Sequence, residues 1–474
     1  MNFKYKEYTG LLLMALSLGS GCKKILQTDP PINTITTPQV FASDEQVLSA
    51  AAGLYYNMIN SLRGFSSGAV TIFSGMSAYE IIPFNQDFNA GLSQFQNNDL
   101  LQNNQLVYNN FWSNAYTSIY RTNAIIEGLR DNPAIHDSLK KEITGQAEFI
   151  RSFFDFYMVN LFGDIPLTNT VNWKNTNLLN RSSVSVVMDQ VTSDLLYAQG
   201  ALSDNYDEGN GQRVIPNKWA ATALLARVYL YLAKYEQADL QATAIINNTS
   251  LFSLSSSLQN VFLIDSKEAI WQLQQSNNSN SYNATGEGST FIPSELNTFY
   301  PPYAFLTPQL LGAFESGDLR SMNWLDSTQY EGQVYYFPYK YKIGSGQATP
   351  GGAYTEYYMV LRLAEQYLIR AEARAHLNDL AGAAEDLNAI RNRAGLPNTT
   401  ATTQQEMLDA IAHERQVELF CEWGHRWFDL KRTGKADEVL GPIKGSNWQT
   451  TDQLYPIPQS ELQTDPNLTQ NPGY

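Results

Sequence analysis

Two stretches of this chain carry the same helix-pair pattern, and that pattern constrains how everything else can pack. Residues 217–246 read NKWAATALLARVYLYLAKYEQADLQATAII, with apolar or small side chains at 221, 224, 225, 228, 229 and 232, one face of a helix. A turn at Lys234–Glu236 separates this run from a second helix. Residues 361–396, LRLAEQYLIRAEARAHLNDLAGAAEDLNAIRNRAGL, repeat the arrangement. Ala226 and Ala238 lie 12 residues apart, as do Ala371 and Ala383. Ala242 and Ile245 follow in the first unit at the offsets of Leu387 and Ile390 in the second. A small residue on each helix lets an antiparallel pair approach closely, and such pairs bury their faces by stacking on one another.

Two small residues 12 apart is tetratricopeptide-repeat spacing. Further helices are expected over 44–62, opened by Ser43 or Asp44 as cap, and over 104–130, 140–162, 183–202 and 405–432. The segments 64–103 and 250–355 read as irregular, and long loops in a helical protein are usually functional or disordered. These are studded with aromatics, which favours function. VYYFPYKYKI (334–343) is the best strand candidate. The Pro- and Asn-rich segment 441–474 is expected to run extended over the surface. The fold class is therefore all-α, with long irregular loops and minor β elements.

The chain begins with a basic start (Lys4, Lys6), an apolar run LLLMALSL (11–18), and the small residues Gly19, Ser20 and Gly21 before Cys22. This is signal-peptide layout. The run is too short to span a bilayer, which takes about 20 residues. Small residues followed by cysteine resemble a bacterial lipobox, although Gly19 stands where many carry leucine. Residues 1–21 are then a lipoprotein signal peptide, with Cys22 acylated as the first mature residue. Cys421, the only other cysteine, reads as a small buried apolar residue.

Loss of the leader, which holds Lys4, Lys6 and Glu7, takes the net charge from −15 to −16. Such a chain is poorly suited to nucleic acid, whose binding rests on basic residues, or to anionic lipid. Aromatics reach 12%, with 28 Tyr and 8 Trp, against 16% charged residues. Tyrosine and tryptophan pair a flat apolar face with a polar tip. A neutral, hydroxyl-rich ligand such as a sugar suits them.

Motifs for catalysis are weak. GFSSG (64–68) matches GxSxG but follows a predicted helix, where a nucleophile elbow needs a strand. EWGH (422–425) is a single ExxH, and HERQV (413–417) is not HExxH. With four histidines in all, no metal site or cofactor is expected. Glu414, Glu418 and Glu422 recur at i, i+4, with Arg426 four beyond, a ladder better suited to ion pairs than to acid catalysis.

Several segments together resemble one family. RQVELFCEWGHRWFDLKR, AEFIRSFFDFYMVNLFGDIPL (147–167), FESGDLRSMNW, YYMVLRLAEQYLIRAEARAHL, FWSNAYTSIYRTNAII and the closing LYPIPQSEL…NLTQNPGY are similar, in order, to motifs of the SusD/RagB nutrient-uptake lipoproteins of Gram-negative outer membranes. The resemblance implies a tetratricopeptide-like scaffold with an irregular ligand-binding face. It implies a surface-facing, lipid-anchored, non-catalytic protein of the Gram-negative outer membrane. It also implies a partner, a SusC-like TonB-dependent β-barrel transporter that receives captured glycan. An N-terminal part (22–250) and a C-terminal part (251–474) would form one compact unit, the latter divided into loop-rich 251–355, repeat helices 356–432 and the tail 441–474.

The family motifs are structural, so candidate ligand contacts rest on loop chemistry: Tyr79, Glu80, Phe84, Asn85 and Phe88 from the first loop, and Tyr282, Tyr300, Tyr303 and Trp324 from the second. Two alternatives stand beside glycan import: a peptide-binding uptake protein, and a surface glycosidase using carboxylates such as Glu295 or Asp318.

Overall fold

The computed structural model describes residues 37–84, 90–277, 281–294 and 301–474. Its main helices are α1 (Asp44–Ile59), α2 (Ala69–Ser77), α3 (Ala90–Asn97), α4 (Ser113–Leu129), α5 (Asp137–Phe162), α6 (Val184–Ala201), α7 (Lys218–Tyr231), α8 (Tyr235–Ile246), α9 (Leu363–His376), α10 (Leu380–Arg393), α11 (Gln404–Glu418) and α12 (His425–Arg432). Strands β1 (Ile81–Pro83), β2 (Ala269–Leu273), β3 (Ala304–Leu306), β4 (Leu325–Tyr330), β5 (Gln333–Pro338) and β6 (Tyr358–Arg362) form three antiparallel pairs, β1–β3, β2–β6 and β4–β5.

Each scaffold helix packs on the next: α4 on α5, α5 on α6, α6 on α7, then α7–α8, α8–α9, α9–α10 and α11. The expected repeat pairs are α7–α8 and α9–α10. Ala226, Ala238, Ala371 and Ala383 are all fully buried, as close approach of the paired helices requires. Because α8 stacks directly on α9, the residues between them fold outside the stack. Ends are set locally. The Asn217 side chain caps α7 through the N–H groups of Trp219 and Ala220, and Thr403 with Glu406 closes a capping box on α11. Ser43 holds the N-cap position of α1 without a side-chain cap bond.

Three expectations are corrected. The segment 64–103 is not wholly irregular: it contains α2, buried along its whole length, and α3. GFSSG forms a short 3-10 turn, and the Ser66 hydroxyl is buried on the Met58 carbonyl (2.7 Å). The tail does not stay on the surface. Tyr455 is fully buried against Phe95, Phe111 and Trp427 at 5.5, 5.7 and 6.2 Å, so aromatic burial outweighs its proline-rich composition. Finally, 405–432 is not one helix. Cys421, Trp423 and Gly424 take positive φ (48°, 46° and 67°), breaking the chain between α11 and α12. Glu422 therefore leaves the ladder and does not pair with Arg426.

Candidate functional site

The acidic ladder is nonetheless an ion-pair system, and it is buried. Arg320 bonds Asp318 (2.8 Å), Glu414 (2.6 Å) and Glu418 (3.0 Å), all at 0% side-chain exposure. Arg362 bonds Glu418 (2.5 Å) and Glu422 (2.7 Å). Burial alone would raise Glu418, but Arg393, Arg362 and Arg320 around it hold it well below the usual carboxylate range. Carboxylates so engaged are poor general acids or bases. Asp318, one glycosidase candidate, is locked in this network; Glu295, the other, lies outside the described residues.

Trp324 is part of the same interior. It is fully buried, its indole N–H donates to the Leu258 carbonyl (2.9 Å), and Lys340 Nζ sits 4.9 Å from its ring. It offers no face to a ligand. Glu80 is buried too: its Oε1 accepts from the Cys421 N–H (3.3 Å), and burial pushes its carboxyl up to about 7. The sequence could not tell these two from exposed loop residues, because their burial comes from segments distant in the chain.

Two other candidates come together at the edge of the molecule's small sheets. In β1–β3, Ile81 pairs with Leu306 and Pro83 with Ala304, facing the core, while Ile82 and Phe305 oppose each other on the half-buried face. The Phe84 N–H continues the ladder to the Tyr303 carbonyl (3.0 Å). Beside it stands the β4–β5 hairpin, closed by Glu331 and Gly332 at φ 49° and 80°, as a two-residue hairpin turn with matching twist requires. Alternation puts Tyr330 and Tyr335 on the hairpin's inner face and Val334 and Tyr336 outside. Phe84 meets Tyr330 and Tyr335 edge-on, at 5.2 and 5.3 Å between centroids, and Phe305 meets Tyr335 at 5.0 Å. Arg63 lies 4.6 Å over the Tyr303 ring. The result is a half-buried cluster of rings, with Tyr336 43% exposed on its outer side.

Phe305, Tyr330, Tyr335 and Tyr336 were not among the sequence candidates. The Val-Tyr-Tyr-Phe alternation after a Glu-Gly turn was the available signal. Tyr79 is half-buried at φ 59°, with Lys444 5.1 Å over its ring, and Tyr282 is half-buried at φ 47°. Neither takes part in the ring contacts given for the cluster. Asn85, Phe88 and Tyr300 lie outside the described residues, as does Cys22. Among the described residues no group of three or more His, Cys, Asp or Glu could hold a metal ion, and no helix is long and apolar enough to cross a membrane.

Residues 315–474 match the model of the SusD family, and residues 35–230 match a second model described as starch-binding, associating with the outer membrane. The chain belongs to the SusD/RagB family. SusD-like protein P25 of Formosa agariphila is 27% identical, covering 96% of each chain. The starch-binding protein SusD of Bacteroides thetaiotaomicron is 35% identical over 24% of this chain and 21% of its own. Among solved structures, a SusD superfamily protein from Bacteroides vulgatus superposes with a TM-score of 0.79 at 22% identity, covering 92% of this chain and all of that one. A laminarin-binding SusD-like protein superposes at 0.75 with 26% identity, covering 91% and 100%. The helical stack is thus the SusD scaffold, and the sheet-edge ring cluster is carried on it.

Proposed function

We propose that this chain is a non-catalytic, surface-facing lipoprotein of the Gram-negative outer membrane. In this reading it captures a glycan and delivers it to a SusC-like TonB-dependent transporter. The observation that carries the reading is the ring cluster of Phe84, Phe305, Tyr330 and Tyr335, held half-buried on the small sheets. Rings fixed in this way can stack on the C–H face of a sugar at little cost in side-chain entropy. Support comes from relatives whose names record binding of starch and of laminarin. The signal-like leader 1–21 just before Cys22 supports the anchor, and family membership supports the transporter. The buried pairing of Asp318, Glu414 and Glu418 speaks against hydrolysis.

The test is a binding screen with soluble protein starting at Lys23, by calorimetry and affinity electrophoresis. The panel holds laminarin, starch, other plant, fungal and host glycans, and peptides. Binding of one glycan class without product formation supports the reading. Peptide binding with silence on every glycan moves the cargo to peptides, and release of sugar makes the protein an enzyme. Co-purification with a β-barrel from outer membranes tests the partner.

A further inference from the structure

A second set of rings lies on elements that share nothing with the sheet-edge cluster. Tyr108, Trp112, Tyr116 and Tyr120 recur at every fourth position along the π-helical turn Val107–Trp112 and α4, which continues it. All four line one cleft of about 480 Å³, closed on the far side by the short helix Gln459–Thr464 of the tail. The middle rings are fixed: Trp112 packs 5.0 Å from Tyr116, and the Tyr116 hydroxyl donates to the Pro166 carbonyl (2.8 Å). The outer rings are more open, Tyr108 half-buried and Tyr120 56% exposed.

We infer that this cleft is a second binding site, for a neutral glycan chain, an inference that rests on the glycan reading above. Successive i, i+4 positions of an α-helix are about 6 Å apart along its axis, a step comparable to one sugar unit of an extended chain. Tyr116 and Tyr120 on α4, with Tyr108 one turn before, can therefore address neighbouring units, while Trp112, 3% exposed, backs them. The opposite wall supplies polar partners. Glu461 and Asp465 line the cleft with Asn177, and Thr117 adds a hydroxyl from α4 itself. Carboxylates and amides accept sugar hydroxyls, and the two acids disfavour uronic or sulfated units by like-charge repulsion. Two sites on one rigid body would hold a polymer more tightly than either alone.

The test uses the full mature protein with laminarin and starch, then the rest of the panel, and with oligosaccharides of whichever polymer is retained. Wild type should show two binding events per chain, and Tyr108→Ala with Tyr120→Ala one, with polymer retention lower by roughly tenfold or more. Tyr120→Phe, which keeps the ring, should retain both events and confirm that the loss is not a folding defect. Wild-type glycan binding whose stoichiometry and retention the double variant leaves unchanged overturns the second site and leaves the glycan reading standing. Silence of the wild type across every glycan overturns both.

Discussion

The Arg227 guanidinium grips the Glu365 carboxylate at two points, 2.6 and 2.7 Å, with both side chains 1% exposed. Arg227 is on α7 and Glu365 on α9, so this pair ties one helical repeat to the other, with the Tyr157 hydroxyl accepting from the third guanidinium nitrogen, Nη1 (2.7 Å). Removing one partner strands a buried charge. Arg227→Met or Glu365→Leu alone should cost about 3–5 kcal/mol, and the two together distinctly less than their sum. Urea unfolding of the two singles and the double measures this. Single costs under about 1 kcal/mol would mean the pair does not couple the repeats.

Glycine positions give a sharper test of packing. A Cβ on Gly286 would sit 1.9 Å from the Ser67 carbonyl oxygen, a backbone atom with little freedom to retreat. Gly286→Ala should therefore lose about 1–3 kcal/mol. Gly200, inside α6 with open space around it, should tolerate alanine and gain up to about 1 kcal/mol. Thermal melts of the two variants should shift in opposite directions.

Trp324 and Tyr336 should separate stability from binding. Trp324→Ala opens a buried cavity and should cost about 3–5 kcal/mol. Tyr336→Ala, on the outer face of the hairpin, should stay within about 0.5 kcal/mol in stability. If the ring cluster is the ligand platform, Tyr336→Ala with Tyr335→Ala weakens glycan binding at least severalfold. Full affinity in that pair would move the site elsewhere.

Stability should fall as pH rises across the neutral range. Burial pushes Glu80 up to about 7 and Glu287 up to about 8, from an ordinary 4.5. Asp155, also raised by burial to about 8, adds to the same slope. Between the unfolded and folded values the native state holds protons that the unfolded chain has released. The stabilisation is complete below about 4.5 and drains as pH climbs through the folded values. His425, which burial and the surrounding Arg227 and Arg415 hold well below its ordinary 6.5, opposes this slope up to about 6.5, one group against three, while Lys431 and Lys444, lowered by burial to about 7, add their opposite slope only above that point. The melting temperature should drop from pH 5 to pH 7, and Glu287→Gln should flatten that drop. A wild-type profile rising over this interval would refute the assignment.

The scaffold was legible because local periodicity and repeat spacing carry it. The alanines 12 apart and the apolar faces of α7 to α10 are properties of short windows. The family motifs were legible for the same reason. The site was less so. Phe84 and Tyr303 were within reach because each stands in an aromatic loop, yet Tyr330 and Tyr335 reach Phe84 only through a hairpin whose placement no window encodes.

By itself, then, the sequence determined the stacked helix pairs, the acidic surface balance and the ion-pairing character of the 413–432 run. Tertiary structure alone decided which aromatics face inward. It buried Trp324 and Tyr455, broke the acidic ladder at Cys421–Gly424, and gathered its carboxylates around Arg320 and Arg362. The physical reason is that helix formation is written in residues three and four apart, whereas burial of a loop side chain depends on segments tens to hundreds of residues away.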